Sequence, residues 1–177
     1  MANNKNIEKL TTLIRDVLSI KDFTTLEDWQ NSILRLGGEL RVDPNFPDDA
    51  YITKMSDDQN PYFSITISPY HTFERINFSL AHELGHLFLH MSYLVNDEAW
   101  REIEVGKSYT RLGSDLLEFQ ANEFAANLLM PKEEFLKLAM ENRNENNFYN
   151  IEPLLERFRV SRQAIINRGR WLGIFPW

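Results

Sequence analysis

The chain has 177 residues, of which 43% are hydrophobic and 25% charged, a composition typical of a globular protein with a core of ordinary size. Its formal net charge of -7 argues against a whole-surface attraction to nucleic acid or to anionic membranes. It contains no cysteine, which excludes disulfides, thiol nucleophiles and cysteine-ligated metals, so any metal must be held by histidine and carboxylate side chains.

The first ten residues lack the apolar core and cleavage site of a secretory signal. No apolar run approaches the roughly 20 residues that a membrane helix needs. These features predict a cytoplasmic protein with no membrane partner.

The N-terminal third predicts two helices followed by a small sheet. Apolar residues recur every three or four positions from Asn6 to Ile20, and a second helix is predicted from Leu26 to Leu36, where Gly37 and Gly38 follow. Short runs of β-forming residues predict three strands, at 39–42, 50–55 and 63–68.

A helix capped by Thr72 is predicted over residues 73–91, and it carries His-Glu-x-x-His from His82 to His86. Residues four apart project from one face of an α-helix, so both imidazoles can bind one ion. Glu83 lies on the neighbouring edge, where a carboxylate can remove the proton of a zinc-held water. The spacing predicts a zincin site with Glu83 as catalytic residue, but such a histidine pair can also be structural, and only a third ligand decides.

His90 continues the four-residue series, but on a straight helix it climbs away from an ion shared by His82 and His86. The longer zincin pattern would need glycine at position 89 and histidine at 92, where the chain has Leu89 and Ser92. We therefore expect His90 to make a favourable contact with the helix dipole and not to be the third ligand.

Residues 96–113 are polar and lack a clear period, which predicts a partly ordered connection that could form one wall of a substrate cleft. Tyr109 could donate a hydrogen bond to a developing oxyanion, although a packing role is the more ordinary interpretation.

A strongly periodic helix is predicted over residues 115–130, ending at Pro131. Its candidate metal ligands are Glu118 and Glu123, which lie about 140° apart around the helix at roughly 100° per residue and so cannot bind the same ion. Glu118 shares its face with small side chains, where a second helix can approach closely.

A helix is predicted from Lys132 to Glu141, and an asparagine-rich linker follows. Residues 151–177 predict two helices around a turn at Arg159 to Ser161, an arrangement similar to a helix-turn-helix. Five arginines against two glutamates make this segment basic, which permits DNA contact. Packing on the rest of the protein, or docking of a protein partner, is the favoured interpretation.

Two blocks of the sequence resemble the ImmA/IrrE family of metallopeptidases. The first block is residues 73–90, Phe-Glu-Arg-Ile-Asn-Phe-Ser-Leu-Ala-His-Glu-Leu-Gly-His-Leu-Phe-Leu-His, and the second is Glu118-x-x-Ala121-Asn122-x-Phe124-Ala125-Ala126-x-Leu128-Leu129-Met130-Pro131. The resemblance implies that His82, His86 and Glu118 bind Zn²⁺. It also implies that Glu83 is the catalytic glutamate.

The family resemblance also implies the fold. We expect an α+β protein with a zincin-like, thermolysin-like core, mostly helical, with a small mainly antiparallel sheet and a C-terminal helix-turn-helix-like segment. Residues 1–141 would form the metallopeptidase domain, and residues 142–177 a linker and a helical segment that packs on it.

Members of the family commonly sit beside genes for helix-turn-helix repressors, often in phages and mobile elements, and cleave or otherwise inactivate the repressor. The resemblance therefore implies a zinc-dependent endopeptidase that acts as an anti-repressor on a specific protein partner encoded nearby. Two alternatives remain open at this point. One is a zincin fold that binds its repressor without cutting it, and the other is a DNA-binding regulator with a structural zinc.

Overall fold

The computed structural model describes residues 4–20, 25–109 and 115–177, and every structural statement below concerns those residues. The helices are α1 (Asn4–Leu18), α2 (Leu26–Arg35), α3 (Phe73–Gly85), α4 (Asp97–Glu102), α5 (Asp115–Leu129), α6 (Lys132–Glu141), α7 (Glu152–Phe158) and α8 (Arg162–Trp171). The strands are β1 (Gly38–Val42), β2 (Ala50–Lys54), β3 (Phe63–Ile67) and β4 (Ser108–Tyr109). The prediction of a mostly helical α+β fold is confirmed.

The sheet is mixed, with the strand order β1-β3-β2-β4. Strand β2 runs antiparallel to both β3 and β4, as predicted for most of the sheet, but β1 lies parallel to β3. Gly38 pairs with Phe63, whose ring occupies the space where a side chain at position 38 would lie. Strand β3 therefore lies between β1 and β2 in the sheet, although it follows both in the sequence. The strand patterns alone did not predict this order.

The segment predicted as an irregular connection contains helix α4 and strand β4. Asn96 caps α4, since its Oδ1 accepts hydrogen bonds from the backbone N–H groups of Glu98 and Ala99, both at 3.1 Å. Buried Lys54 ties this helix to β2 by donating to the carbonyl oxygens of Trp100 at 2.7 Å and Ile103 at 2.6 Å. A helix of six residues is too short to show a hydrophobic period, so the sequence pattern missed it.

Helix α3 is the central element of the fold. It packs against α5 on one side and against β2 and β3 on the other. Every residue from Ser79 to Phe88 is buried, so the last turns of α3 are enclosed on all faces and not only along one apolar stripe. The His-Glu-x-x-His sequence consequently lies inside the molecule, with its side chains held by packing on each side.

The C-terminal helices contact this central helix. Buried Asn77 of α3 donates its side-chain N–H to the carbonyl oxygen of Arg159 at 2.8 Å and accepts from Trp29 Nε1 at 2.8 Å. Phe158 stacks on Phe135 with ring centroids 5.7 Å apart. The proposed domain division after residue 141 and the helix-turn-helix interpretation stay predictions.

No helix within the described ranges combines the length and the apolar character needed to cross a bilayer. The cytoplasmic location stays a prediction.

Candidate metal centre

The C-terminal end of helix α3 carries His82, and the π-helical turn that follows it (His86–His90) carries His86. The N-terminus of α3 is capped as predicted, because the Thr72 side chain accepts from the backbone N–H of Arg75. His82 and His86 are each 1% exposed, and their Nε2 atoms lie 3.0 Å apart. The four-residue spacing has therefore turned both rings toward one point in the interior.

Helix α5 brings a carboxylate to the same point. Glu118 Oε2 lies 3.2 Å from His82 Nε2, and Glu118 Oε1 lies 3.4 Å from His86 Nε2. One ligand atom from each of the three side chains lies within 4.8 Å of the others, which makes the group a possible metal site. Helix α5 is thus the element that supplies an oxygen donor to the two nitrogen donors of α3.

The approach of the two helices depends on Gly85. A Cβ atom at this position would lie 3.0 Å from Ala121 Cα and 3.2 Å from the Ala121 carbonyl oxygen, closer than ordinary contacts. Ala121 is three residues beyond Glu118 on the same face of α5. The missing side chain at position 85 therefore lets Glu118 reach the histidines.

Asn122 fixes the protonation pattern of the first histidine. Its Oδ1 lies 3.0 Å from His82 Nδ1, and an amide oxygen can only accept a hydrogen bond. His82 Nδ1 must therefore carry the hydrogen, which leaves a lone pair on Nε2, the atom that faces Glu118. The sequence placed Asn122 on the inner face with Glu118 but did not assign it this role.

His86 is neutral at physiological pH. Burial, together with smaller contributions from the neighbouring imidazoles of His82 and His90, lowers its pKa to about 3. Metal ions bind the neutral imidazole, so burial keeps this side chain in its ligand form.

His90 does not join the group of three, but it contacts one member of it. Its Nδ1 lies 2.8 Å from His86 Nδ1, on the side of that ring turned away from Glu118, and its Nε2 lies 3.2 Å from Gln120 Oε1. The predicted contact with the helix dipole is replaced by this ring-to-ring contact. The cause is a π-helical turn (His86–His90) that continues α3 with a wider winding than a straight helix has.

Three other candidate side chains do not belong to the group of possible metal ligands. Glu83, 1% exposed, is enclosed beside His82 on α3. Burial raises the pKa of Glu123, and Arg168 opposes that shift, so Glu123 faces Arg168 of α8. The side chain of Tyr109 lies outside the described part of the structure, as do residues 110–114, so the oxyanion role proposed for it stays a prediction.

The converging side chains fit a zinc ion. Two neutral imidazole nitrogens and one carboxylate oxygen are the ligand types that zinc takes in catalytic sites, where three protein ligands leave a fourth position open. Ligand atoms at about 2.0 to 2.1 Å from a tetrahedral zinc lie roughly 3.3 Å from one another. The separations of 3.0, 3.2 and 3.4 Å found here match that spacing, with each imidazole facing its own carboxylate oxygen.

Comparison with known proteins places this arrangement in a family. A Mycobacterium tuberculosis transcriptional regulator of solved structure is similar to the chain, with a TM-score of 0.58 and 20% sequence identity over 93% of this chain, and at that identity the likeness shows the fold alone. The match covers 47% of the regulator, so the chain spans about half its length. No curated protein matches the chain. The family model Peptidase_M78, described as the IrrE N-terminal-like domain, matches residues 46–169. The chain therefore belongs to the family of IrrE N-terminal-like peptidase domains, which confirms the resemblance predicted from the sequence.

Proposed function

We propose that the protein is a zinc-dependent endopeptidase with a zincin-like core, whose third metal ligand is a glutamate from a second helix. The observation that carries this proposal is the convergence of His82, His86 and Glu118 on one buried point. Membership of a peptidase family supports the same chemistry. The mixed sheet beside α3 is compatible with a zincin core, which remains part of the proposal.

In this proposal His82, His86 and Glu118 hold the zinc ion, and Asn122 keeps the ring of His82 in its ligand tautomer. When bound, zinc supplies a Lewis acid that polarises the scissile carbonyl group and lowers the pKa of water.

Glu83 is the catalytic residue. It follows His82 directly on α3, on the edge next to the face that carries the histidines. Glu83 removes the proton from the attacking water and delivers it to the amide nitrogen as the C–N bond breaks. Its burial favours this work, because a carboxylate shielded from water exchanges its proton with the substrate and not with the solvent.

The proposed substrate is a specific protein, a helix-turn-helix repressor encoded nearby. The sequence resemblance to the ImmA/IrrE family supports this choice of partner. The structurally similar regulator is itself a transcriptional protein, although the likeness extends only to the fold.

The C-terminal segment is proposed to be part of the peptidase and not an independent DNA-binding unit. Arg168 is only 7% exposed and donates to the carbonyl oxygen of Met130 at 3.1 Å and to Asn127 Oδ1 at 2.9 Å. Arg162 pairs with Glu152 at 2.5 Å within the segment. Guanidinium groups already held by the protein are poorly placed to neutralise phosphates.

The proposal is tested by incubating the purified protein with the regulator encoded by its neighbouring gene and measuring product masses. We expect the wild type to cut the regulator, and Glu83→Gln to keep its zinc but cut about 10² to 10⁴ times more slowly. Undiminished cleavage by Glu83→Gln would end the assignment of the catalytic residue. Stable binding of the regulator without any cut by the wild type would favour the non-cleaving alternative.

A further inference from the structure

The π-helical turn that follows α3 brings His90 back against His86. The backbone N–H of Met91 bonds to the carbonyl oxygen of His86, five residues earlier, at 2.9 Å. The rings of His86 and His90 have centroids 4.9 Å apart, and their Nδ1 atoms are separated by 2.8 Å. Winding of this type is rare and occurs mostly as single turns, frequently at functional sites.

Two imidazole nitrogens at 2.8 Å share one hydrogen atom, so one ring donates and the other accepts. The contact of His90 with Gln120 decides which ring donates. Gln120 Oε1 lies 3.2 Å from His90 Nε2, and an amide oxygen can only accept, so His90 Nε2 carries the hydrogen of that ring. A neutral His90 then has a lone pair on Nδ1, and His86 must donate from its own Nδ1.

We propose that His90, held by Gln120, is a positioning residue that fixes His86 in the tautomer with hydrogen on Nδ1, so that the Nε2 lone pair points at His82 and Glu118. This inference rests on the proposed function, because it concerns the same metal centre. It gives the π-helical turn a purpose, since a straight helix would carry His90 past the ring of His86.

The two ligand histidines are then supported from opposite sides by different groups. Asn122 of α5 accepts from His82 Nδ1 at 3.0 Å, and His90 of the π-helical turn accepts from His86 Nδ1 at 2.8 Å. Partners of this kind orient metal ligands, and their loss typically weakens metal affinity about 10- to 100-fold.

The first test reads the tautomers in the zinc-loaded, full-length protein by long-range ¹H–¹⁵N correlation NMR of the histidine rings. The chain has only four histidines, so assignment is simple, and His71→Gln identifies the ring outside the site. We expect His86 to carry its hydrogen on Nδ1 and His90 on Nε2. A hydrogen on Nε2 of His86 would overturn the proposal.

The second test measures zinc affinity by competition with a chelator. We expect His90→Leu to bind zinc about 10- to 100-fold more weakly. His90→Asn should recover most of that loss, because its Oδ1 can replace Nδ1 as the acceptor. His71→Leu is the control and should bind zinc like the wild type, because His71 lies outside the site, with its Nε2 3.0 Å from Asp49 Oδ1. Equal affinity for His90→Leu and the wild type, or an equally weak His90→Asn, would refute the role.

Gln120→Leu keeps the assignment testable if His90→Leu does not fold. Without the amide acceptor, the hydrogen of His90 is no longer held on Nε2, and we expect zinc affinity to fall about 10-fold. An unchanged zinc affinity in this variant would contradict the proposal.

The tautomer and affinity measurements do not depend on cleavage of any protein. A wild type that binds zinc and shows the expected tautomers but cuts no partner would refute the proposed function alone. A wild type that binds no zinc would refute the proposed function and the role of His90 together, whereas zinc binding with the other His86 tautomer would refute the role of His90 alone.

Discussion

Substitution of Gly85 by alanine should weaken zinc binding while the protein still folds. The added Cβ would lie 3.0 Å from Ala121 Cα, 3.2 Å from the Ala121 carbonyl oxygen and 3.2 Å from Phe124 Cβ. Carbon atoms in good contact are about 3.5 to 4.0 Å apart, so the backbone of α5 must withdraw by roughly half an ångström. Glu118 lies one helical turn from Ala121 and would be drawn away from the histidines.

The two consequences of Gly85→Ala can be estimated separately. Overpacking costs about 1 to 3 kcal/mol, and replacing glycine by alanine within a helix returns about 1 kcal/mol, so the net loss of unfolding free energy is about 0 to 2 kcal/mol. Zinc affinity should fall on the order of 10-fold, because a site must hold its ligands within about 0.5 Å.

Urea unfolding of the metal-free protein and chelator competition measure the two quantities independently. Gly85→Val, with a larger side chain at the same contact, should lower both further. If Gly85→Ala bound zinc as tightly as the wild type, the close approach at Ala121 would not be what positions Glu118.

Three further predictions concern stability, each measured by urea unfolding. Asn77→Ala should lower the unfolding free energy by about 2 to 4 kcal/mol, because Trp29 Nε1 and a backbone carbonyl of the C-terminal turn lose their buried partner. The exposed control Asn146→Ala should cost almost nothing, and an equally small cost for Asn77→Ala would refute this prediction. Arg168→Met should cost about 2 to 4 kcal/mol, because it removes a buried guanidinium that donates to the Met130 carbonyl oxygen and to Asn127 Oδ1. Arg162→Met, which breaks an exposed pair, should cost at most about 1 kcal/mol, and similar costs for the two would contradict the packing role. Burial lowers the pKa of His86 to about 3, so between pH 6.5 and 3 the unfolded chain takes up a proton that the folded metal-free protein does not. The unfolding free energy should therefore decline as pH falls through that range, and it should decline less steeply in His86→Leu. Equal slopes of unfolding free energy against pH in the two proteins would refute this prediction.

The histidine pair was predictable because it depends on a local rule. Four-residue spacing on a helix fixes the direction of both side chains, and the rings of His82 and His86 do face one point, with their Nε2 atoms 3.0 Å apart. Glu118 was a different case, since helical geometry showed only that it and Glu123 could not serve one ion. Its selection needed the family resemblance, because the hydrophobic period of each helix does not reveal how closely the two helices pack.

The contact between His90 and His86 was missed because the sequence gives no signal for the π-helical turn. The prediction assumed a straight helix to residue 91, where His90 would rise away from the site. The turn contains Leu87 and Phe88, which are both buried, and the tertiary packing around such residues cannot be derived from a local period.

The sheet and the connecting segment show a similar limit. The alternation in residues 63–68 located strand β3, but the parallel pairing of β1 with β3 depends on how the chain crosses the sheet. Helix α4 and strand β4 are six and two residues long, too short for a pattern to emerge. The position of Arg168 in the interior was likewise hidden, because its burial depends on acceptors from α5 and the residue that follows it.

The central claim is that three side chains from two helices form one zinc site, and metal content after purification and dialysis tests it most directly. We expect about one zinc ion per chain in the wild type, loss of the metal in Glu118→Ala, and retention in Glu123→Ala, whose carboxylate faces Arg168. Zinc that remained in Glu118→Ala and disappeared in Glu123→Ala would contradict the account, because it would place the third ligand on the opposite side of α5.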